Sequence, residues 1–223
     1  MRLAHFDLSA PIHWKENKIP VVVVESPALY RQWVFELKDQ AEGGQGPFVL
    51  SKNFEPLDCA SCLKVIWNYH SLNMEERGIQ NQFQNYLNQI VASELAQESM
   101  GLVQQINQFA AAISIASEYP ISFELENPVG QLLKALKIKP ALDAENPMER
   151  LMQYLEICSG LKADQCFVLI SAHAFFTKQE LKMLYQMAAY RKWNLLLLEN
   201  RQSVPVKEEE MIVVDKDLCE IRT

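Results

Sequence analysis

The stretch that decides the fold is residues 165–199, QCFVLISAHAFFTKQELKMLYQMAAYRKWNLLLLE. It contains two short apolar runs, 166–170 and 195–198. Between them, Thr177 and Glu180 have the spacing of a helical capping box, and apolar residues then recur at helical intervals. Two strands that are apolar on both faces and joined by a helix pair in parallel inside a covered sheet. The stretch therefore predicts an α/β fold.

Composition sets broad limits on the class of protein. The chain has 223 residues, a formal net charge of -7 and five cysteines. Its length suits one large domain or a core domain with a smaller annex. The acidic balance argues against nucleic acid as a partner unless the basic residues share one face. An odd number of cysteines favours reduced thiols in the cytoplasm.

Neither export nor membrane insertion is predicted. The opening MRLAHFDLS lacks a basic segment followed by an apolar core, so we expect no signal peptide. No uninterrupted apolar run approaches the roughly 20 residues that a membrane span needs.

The two ends of the chain have the α/β pattern. Residues 19–24, IPVVVV, predict a strand, and Ser26 with Pro27 predicts the start of a helix. Further strands are predicted at 2–8, 48–50, 63–67 and 211–214.

The middle of the chain predicts helices. Apolar residues follow one helical stripe from Phe83 to Leu95, Gly101 interrupts the pattern, and Asn127 and Asn146 each precede a proline that opens a further helix. We therefore predict a sheet-containing head from residues 1–71 and 163–223, and a mostly helical lobe from residues 72–162.

The strand-to-helix turns lack the residues that bind and hydrolyse nucleotides. After Val24 the chain reads ESPALY, without the glycines and lysine of a phosphate loop, and residues 166–170 end in Ser171 rather than a metal-binding Asp. Ser171 and His173 have the types of a nucleophile and a base, but the glycines of a nucleophile elbow are missing. Loop packing is the favoured interpretation of both.

Cys59 and Cys62 form a CxxC motif. A zinc site needs about four ligands; no second pair follows at suitable spacing, and His70 is the nearest candidate. Ordinary thiols are the favoured interpretation.

Charged residues form two further candidate sites. The basic set consists of Lys134, Lys137, Lys139, Lys178, Lys182, Arg191 and Lys192. These residues either lie on solvated helix faces or form a stripe for the phosphate backbone of DNA. The acidic set, Glu118, Glu124 and Glu126, surrounds a predicted strand and is either a solvated patch or a source of oxygen ligands.

The sequence resembles the ring-forming accessory adaptation subunit of type II-A CRISPR systems. The resemblance rests on FVLISAHAFFTKQELKMLY at 167–185 and WNLLLLENR at 193–201. At the other end, Phe6, Leu8, Pro11 and Ile12 match the opening pattern of that family. The order of head, lobe and head also agrees.

The resemblance implies a fold, an assembly and partners. It implies a head like a degenerate P-loop ATPase, without nucleotide, nuclease or ATPase activity. It implies a cytoplasmic homotetrameric ring that encircles linear double-stranded DNA, binds its ends without sequence preference, and works with the CRISPR integrase and the RNA-guided effector nuclease in spacer acquisition.

The resemblance also implies calcium, which relatives bind through acidic residues near the equivalent of 118–126. Glu118, Glu124 and Glu126 are the matching positions, although Pro120, Ile121 and Phe123 thin the acidic stretch here.

Two alternative functions remain at this level. One is a scaffold that binds partner proteins without DNA. The other is a nucleotide- or metal-dependent α/β enzyme, which rests on the analogy of fold alone.

Overall fold

The computed structural model describes residues 1–124 and 126–222, and the chain divides into two compact units. The first comprises Met1–Asn73 and Leu142–Thr223, and the second comprises Met74–Ala141. The first unit is thus built from both ends of the chain. It includes residues 142–162, which the sequence pattern places in the lobe.

Strands and helices alternate in the first unit. The strands are β1 (Arg2–Ala4), β2 (Ile12–His13), β3 (Ile19–Val24), β4 (Val49–Lys52), β5 (Glu55–Leu57), β6 (Leu63–Ile66), β7 (Cys166–Ile170), β8 (Asn194–Glu199), β9 (Glu209–Val214) and β10 (Glu220–Arg222). The helices in chain order are α1 (Pro27–Ala41), α2 (Cys59–Cys62), α3 (Arg77–Ser93), α4 (Ala96–Ala116), α5 (Pro128–Ala135), α6 (Pro147–Leu161), α7 (Ala172–Phe175) and α8 (Lys178–Arg191). Helices α3, α4 and α5 belong to the second unit.

A six-stranded sheet in the order β10-β9-β3-β8-β7-β6 forms the centre of the first unit. Its neighbours pair in parallel from β9 to β6, and only β10 runs antiparallel. The parallel pairing of β7 with β8, from Cys166↔Asn194 to Ile170↔Leu198, was predicted from residues 165–199. The mixed α/β class with a parallel-rich sheet is confirmed.

Both faces of this sheet are buried. All six residues of β3 and all five of β7 are buried. One face packs with the helix α1, through Trp33 and Leu37, and with apolar residues of β1 and β4. Alternate residues point to the opposite face, where Tyr185 of α8 reaches Glu209 at the start of β9. The sheet is therefore a central layer between two others.

A second, antiparallel sheet in the order β2-β1-β4-β5 was not predicted. Strands were predicted at 2–8 and 48–50, which overlap β1 and β4, but not at β2 and β5, whose two and three residues are too few for a period-two pattern. Leu3 pairs with Leu50, and both are buried. The sheet is held by contacts between distant parts of the sequence, which local patterns do not reveal.

Helix α8 begins where the sequence predicted. Thr177 accepts a hydrogen bond from the Glu180 backbone, and the Glu180 side chain accepts one from the Thr177 backbone, which completes the capping box. Helix α6 begins with an Asn146 cap and Pro147, also as predicted. It belongs to the first unit, where it buries Leu151, Tyr154 and Leu155, and its partly exposed Glu156 pairs with Arg191 at the end of α8, at 3.2 Å.

Two expectations for the second unit were wrong. Helix α4 runs without interruption through Gly101, and the break between helices lies at Glu94 and Leu95. A single glycine costs a helix only about 1 kcal/mol, so neighbouring contacts override it. The strand predicted around 118–126 does not form in the described residues 117–124. The described elements of this unit are helices, which offer an extended segment no ladder partner.

Within residues 1–124 and 126–222, every helix falls short of the length and apolarity that a membrane crossing requires.

Replacing Lys192 by glycine is expected to stabilise the first unit. Lys192 ends α8 in the left-handed region, with φ 57° and ψ 40°, where a side chain costs about 1–2 kcal/mol. Because glycine gives the unfolded chain more entropy, part of this stabilisation is cancelled. We expect Lys192→Gly to raise the free energy of unfolding by about 0.5–1 kcal/mol in urea titrations.

Lys192→Ala is the matched control, since alanine removes the charge but keeps the strained Cβ. Equal stability of the glycine and alanine variants would contradict the prediction.

Candidate functional site

Hydrogen-bonded side chains lie at the carboxyl edge of the parallel sheet, the usual ligand crevice of open α/β folds. The hydroxyls of Tyr30 and Ser171 lie 2.7 Å apart, and this bond links α1 to the turn after β7. The Tyr69 hydroxyl donates to the Ile170 carbonyl at 2.9 Å. Burial raises the pKa of both tyrosines, so both hydroxyls stay protonated at neutral pH.

Ser171 and His173 have different hydrogen-bond partners. Ser171 adopts φ 54° and bonds Tyr30, whereas the His173 ring bonds Glu209 and Ser203. A nucleophile and its base must share a hydrogen bond. The described contacts therefore agree with loop packing for this turn, not with nucleophilic catalysis.

A polar cluster around Glu209 lies under the segment that crosses from β8 to β9. His173 Nε2 lies 2.7 Å from Glu209 Oε1, and the Tyr185 hydroxyl donates to the same oxygen at 2.7 Å. The Val206 backbone donates to Glu209 Oε2 at 2.9 Å, and Ser203 Oγ lies 2.9 Å from His173 Nδ1. The cluster therefore connects the segment between β8 and β9 to helix α7, through His173, to helix α8, through Tyr185, and to the sheet, through Glu209.

The electrostatics of this cluster favour a charged pair. Burial opposes the charged form of His173, but the hydrogen bond to Glu209 and the negative charges of Glu199 and Glu209 outweigh it, so its pKa is raised. Burial likewise opposes the charge of Glu209, but hydrogen bonds from His173, Tyr185 and Val206 outweigh it, so its pKa is lowered. The imidazolium then donates to Glu209 and Ser203.

Glu199 lies beside the pair and differs from Glu209. Burial raises the pKa of Glu199, although its carboxylate accepts a 3.0 Å hydrogen bond from the His173 backbone. The two carboxylates therefore have pKa values shifted in opposite directions by their surroundings.

The types Ser203, His173 and Glu209 are those of a serine hydrolase, but the contacts indicate a structural role. Hydrolysis needs backbone or side-chain donors aimed at an oxyanion beside the nucleophile. Ser203 and His173 do share the hydrogen bond of a nucleophile and a base, but the raised pKa of His173 favours an imidazolium, which cannot accept the serine proton. Glu209 is also fully engaged by three donors. The cluster holds the crossing segment in place.

The seven predicted DNA-binding residues are all exposed. Lys134, Lys137 and Lys139 belong to the second unit, where Lys139 pairs with Glu75 at 3.2 Å. The other four belong to the first unit. Exposed ion pairs contribute little and exchange readily, so the pairs of Lys139 and Arg191 leave both cations accessible to phosphate.

The calcium site predicted from Glu118, Glu124 and Glu126 is not supported. All three are exposed, and within the described part of the chain no three His, Cys, Asp or Glu side chains converge so as to hold a metal. Calcium takes six to eight oxygen ligands. Exposed glutamates on an irregular segment do not provide them.

Cys59 and Cys62 lie on the short helix α2 as free thiols. Burial raises the pKa of Cys59, so a smaller fraction of this thiol is ionised to the reactive thiolate at neutral pH. This agrees with the favoured interpretation of ordinary thiols.

The contribution of the His173–Glu209 pair to stability is expected to depend on pH. Because the pKa of His173 is raised above 6.5, its contribution is complete below that value and is lost as the pH rises through the folded pKa. Because the pKa of Glu209 is lowered below 4.5, its contribution is present above that value and is lost as the pH falls through the folded pKa.

His173→Ala is expected to cost about 2–3 kcal/mol of unfolding free energy near pH 5.5, and less at pH 9, measured by urea titration. Ser203→Ala is the control, since it removes one hydrogen bond and leaves the ion pair. A cost that stays constant from pH 5 to pH 9 would contradict the assignment.

Comparison with known proteins identifies the family. No curated protein matches the chain. A family model, described as CRISPR-associated protein (Cas_Csn2), matches residues 40–218. That range is well over half of the chain and contains the 165–199 stretch, and it confirms the resemblance found in the sequence. The chain belongs to the Cas_Csn2 family of CRISPR-associated proteins.

Proposed function

We propose that this protein is a non-catalytic subunit of CRISPR adaptation that forms a homotetrameric ring around linear double-stranded DNA and supports the acquisition of new spacers. The observation that carries the proposal is the family match over residues 40–218. Its partners are DNA ends, the CRISPR integrase and the RNA-guided effector nuclease, in the cytoplasm.

Exposed cations support contact with DNA. The seven basic residues named above are exposed, although the chain carries a net charge of -7. A ring can separate these charges, with basic residues towards a channel and acidic residues outside. Contacts to phosphates would then be independent of sequence and weaken as salt is added.

Exposed apolar side chains support assembly. Helix α4 has no buried residue in this single chain. Met100 is 73% exposed, Phe109 69% and Ile115 86%. Large exposed apolar side chains commonly lie in protein interfaces, so copies of the second unit are suitable contacts within a ring.

Side-chain contacts at the carboxyl edge support a head without nucleotide chemistry. Tyr30 bonds Ser171 and Tyr69 bonds the Ile170 carbonyl, so these hydroxyls already have partners within the protein. We therefore regard the head as a degenerate ATPase-like domain with a helical lobe, and we move residues 142–162 from the lobe predicted at 72–162 to the head, because they belong to the first compact unit.

Linear DNA is expected to bind and covalently closed circular DNA of the same sequence is not, because a closed ring threads only over an end. Mobility-shift titration measures both affinities. Light scattering on the free protein is expected to give four times the 25.6 kDa chain mass. Equal affinity for both DNA forms, or a monomer in solution, contradicts the ring.

Replacing Lys134, Lys137 and Lys139 together by glutamate is expected to weaken binding to linear DNA. The plot of log affinity against log salt has a negative slope, and this slope should become shallower by about 0.9 for each phosphate that the protein no longer neutralises. Lys216→Glu is the control, since Lys216 is exposed and outside the predicted set. Unchanged DNA affinity in the triple variant would show that these lysines do not contact DNA. If the protein binds partner proteins but no DNA, the alternative function of a protein-binding scaffold is favoured.

A further inference from the structure

The short helix α2 carries two thiols on one helical turn. Its sequence is CASC, with Cys59 as the first residue and Cys62 as the last. The helix begins directly after β5, and its cap is Asp58, whose side chain accepts a hydrogen bond from the Ala60 backbone at 3.3 Å. Residues three apart on a helix lie on the same face. The two thiols are therefore neighbours within the first unit.

The side chains of both cysteines face the same part of the interior. Cys62 belongs to the apolar core on the α1 side of the central sheet, and Cys59 packs against that core. Side chains three apart on a helix have Cβ atoms about 5–6 Å apart, and a disulfide needs about 3.5–4.5 Å. A small adjustment of this single turn therefore brings the two sulfur atoms within bonding distance.

Weak contacts hold the Cys59 sulfur in its present position. It lies 3.9 Å from Gln40 Nε2 and 4.0 Å from the Phe48 carbonyl oxygen, and it also bonds the Leu50 backbone. Thiols are weak donors and acceptors. Gln40 and Phe48 satisfy each other through two further hydrogen bonds, at 2.8 Å and 2.9 Å. Turning the Cys59 sulfur towards Cys62 therefore breaks only weak hydrogen bonds.

The two thiols differ in their access to solvent. Cys59 is half-buried between the exposed residues Asp58 and Ala60, whereas Cys62 is only 5% exposed. A small reagent therefore reaches Cys59 first. An accessible cysteine beside a second, resolving cysteine is the arrangement that redox-sensitive proteins use.

We propose that Cys59 and Cys62 form a reversible disulfide by exchange with a small disulfide such as oxidised glutathione. The Cys59 thiolate attacks one sulfur of the small disulfide, forms a mixed disulfide and releases one glutathione thiolate. The Cys62 thiolate then attacks the Cys59 sulfur and releases the second. Two protein thiols are thereby oxidised, one small disulfide is reduced to two thiols, and the two protons from the protein thiols pass to the released thiolates.

The raised pKa of Cys59 slows the first step but does not oppose the product. Exchange depends on the thiolate fraction, which burial and the nearby Asp58 and Cys62 keep low. A dithiol is a strong oxidant when its reduced form is stabilised, and burial withholds that stabilisation from the Cys59 thiolate. We therefore expect a slow reaction at neutral pH and a disulfide that persists until a reductant removes it.

Other uses of these thiols fit less well. Cys166 is fully buried in β7, so a small disulfide does not reach it first. Within the described ranges, no three His, Cys, Asp or Glu side chains are placed to hold a metal, which disfavours a metal shared by Cys59 and Cys62. Disulfides in a reducing cytoplasm are mostly transient, so this pair would respond to oxidation rather than staple the fold.

Mass spectrometry of the intact protein after treatment with oxidised glutathione is the test. Trypsin releases both cysteines in one peptide, residues 53–64, and Cys166 in another, residues 163–178. We expect peptide 53–64 to lose two hydrogen atoms at about pH 8.5, where more of Cys59 is ionised, and to regain them with dithiothreitol.

Other cysteines provide internal controls in the same sample. Cys219 is exposed and should keep bound glutathione, which shows that the reagent is active. Cys158 and Cys166 are buried and should resist alkylation, which shows that the reaction takes place in the folded protein.

Serine variants test the order of the two steps. In Cys62→Ser, Cys59 should retain glutathione because the resolving thiol is missing. In Cys59→Ser, Cys62 should stay reduced because it is buried. Cys219→Ser is the matched control and should leave the oxidation of peptide 53–64 unchanged.

Three results overturn the proposal. They are a peptide 53–64 that stays reduced while Cys219 is modified, a peptide 53–64 that retains glutathione in the unaltered protein, and a disulfide that joins peptides 53–64 and 163–178. Neither DNA binding nor assembly enters this assay, so its outcome is independent of the proposed ring.

Discussion

The burial of the parallel sheet on both faces is the constraint on which the rest of the first unit depends. Every residue of β3 and β7 is buried, so elements must cover both sides of the sheet. Helix α1 and the small antiparallel sheet pack on one face, and α8 packs on the other. Polar chemistry is thereby restricted to the two edges where strands end and to the segments that cross between strands.

The two edges of the sheet differ in what they leave open. At the carboxyl edge, Tyr30 bonds Ser171, and Tyr69 bonds the Ile170 carbonyl. At the amino edge, a cavity of about 520 Å³ opens where β3 and β8 begin.

Charged residues divide between the interior and the surface of the protein. Glu209 is buried because its carboxylate accepts three hydrogen bonds, two of them from His173 and Tyr185, whereas Glu210 beside it pairs with exposed Lys15. The seven predicted DNA-binding cations lie on the surface. Glu199 and Glu209 are the acidic residues buried within the described part of the chain, so most of the acidic charge stays at the surface and a basic region requires the cations to cluster.

The sequence alone determined the elements whose signal is local. These signals depend on residues that are neighbours in the sequence, and the structure contains every element that they predicted. They are the apolar runs of β3, β7 and β8, the capping box of α8, and the asparagine–proline starts of α5 and α6. The family resemblance rested on the same segments. Tertiary structure alone decided the antiparallel sheet, the continuity of α4 through Gly101, the burial of Glu209 and the cavity beside Trp193. Each of these depends on contacts between residues far apart in the chain, and an acidic run such as Glu208–Glu210 gives no local sign of which carboxylate will be buried.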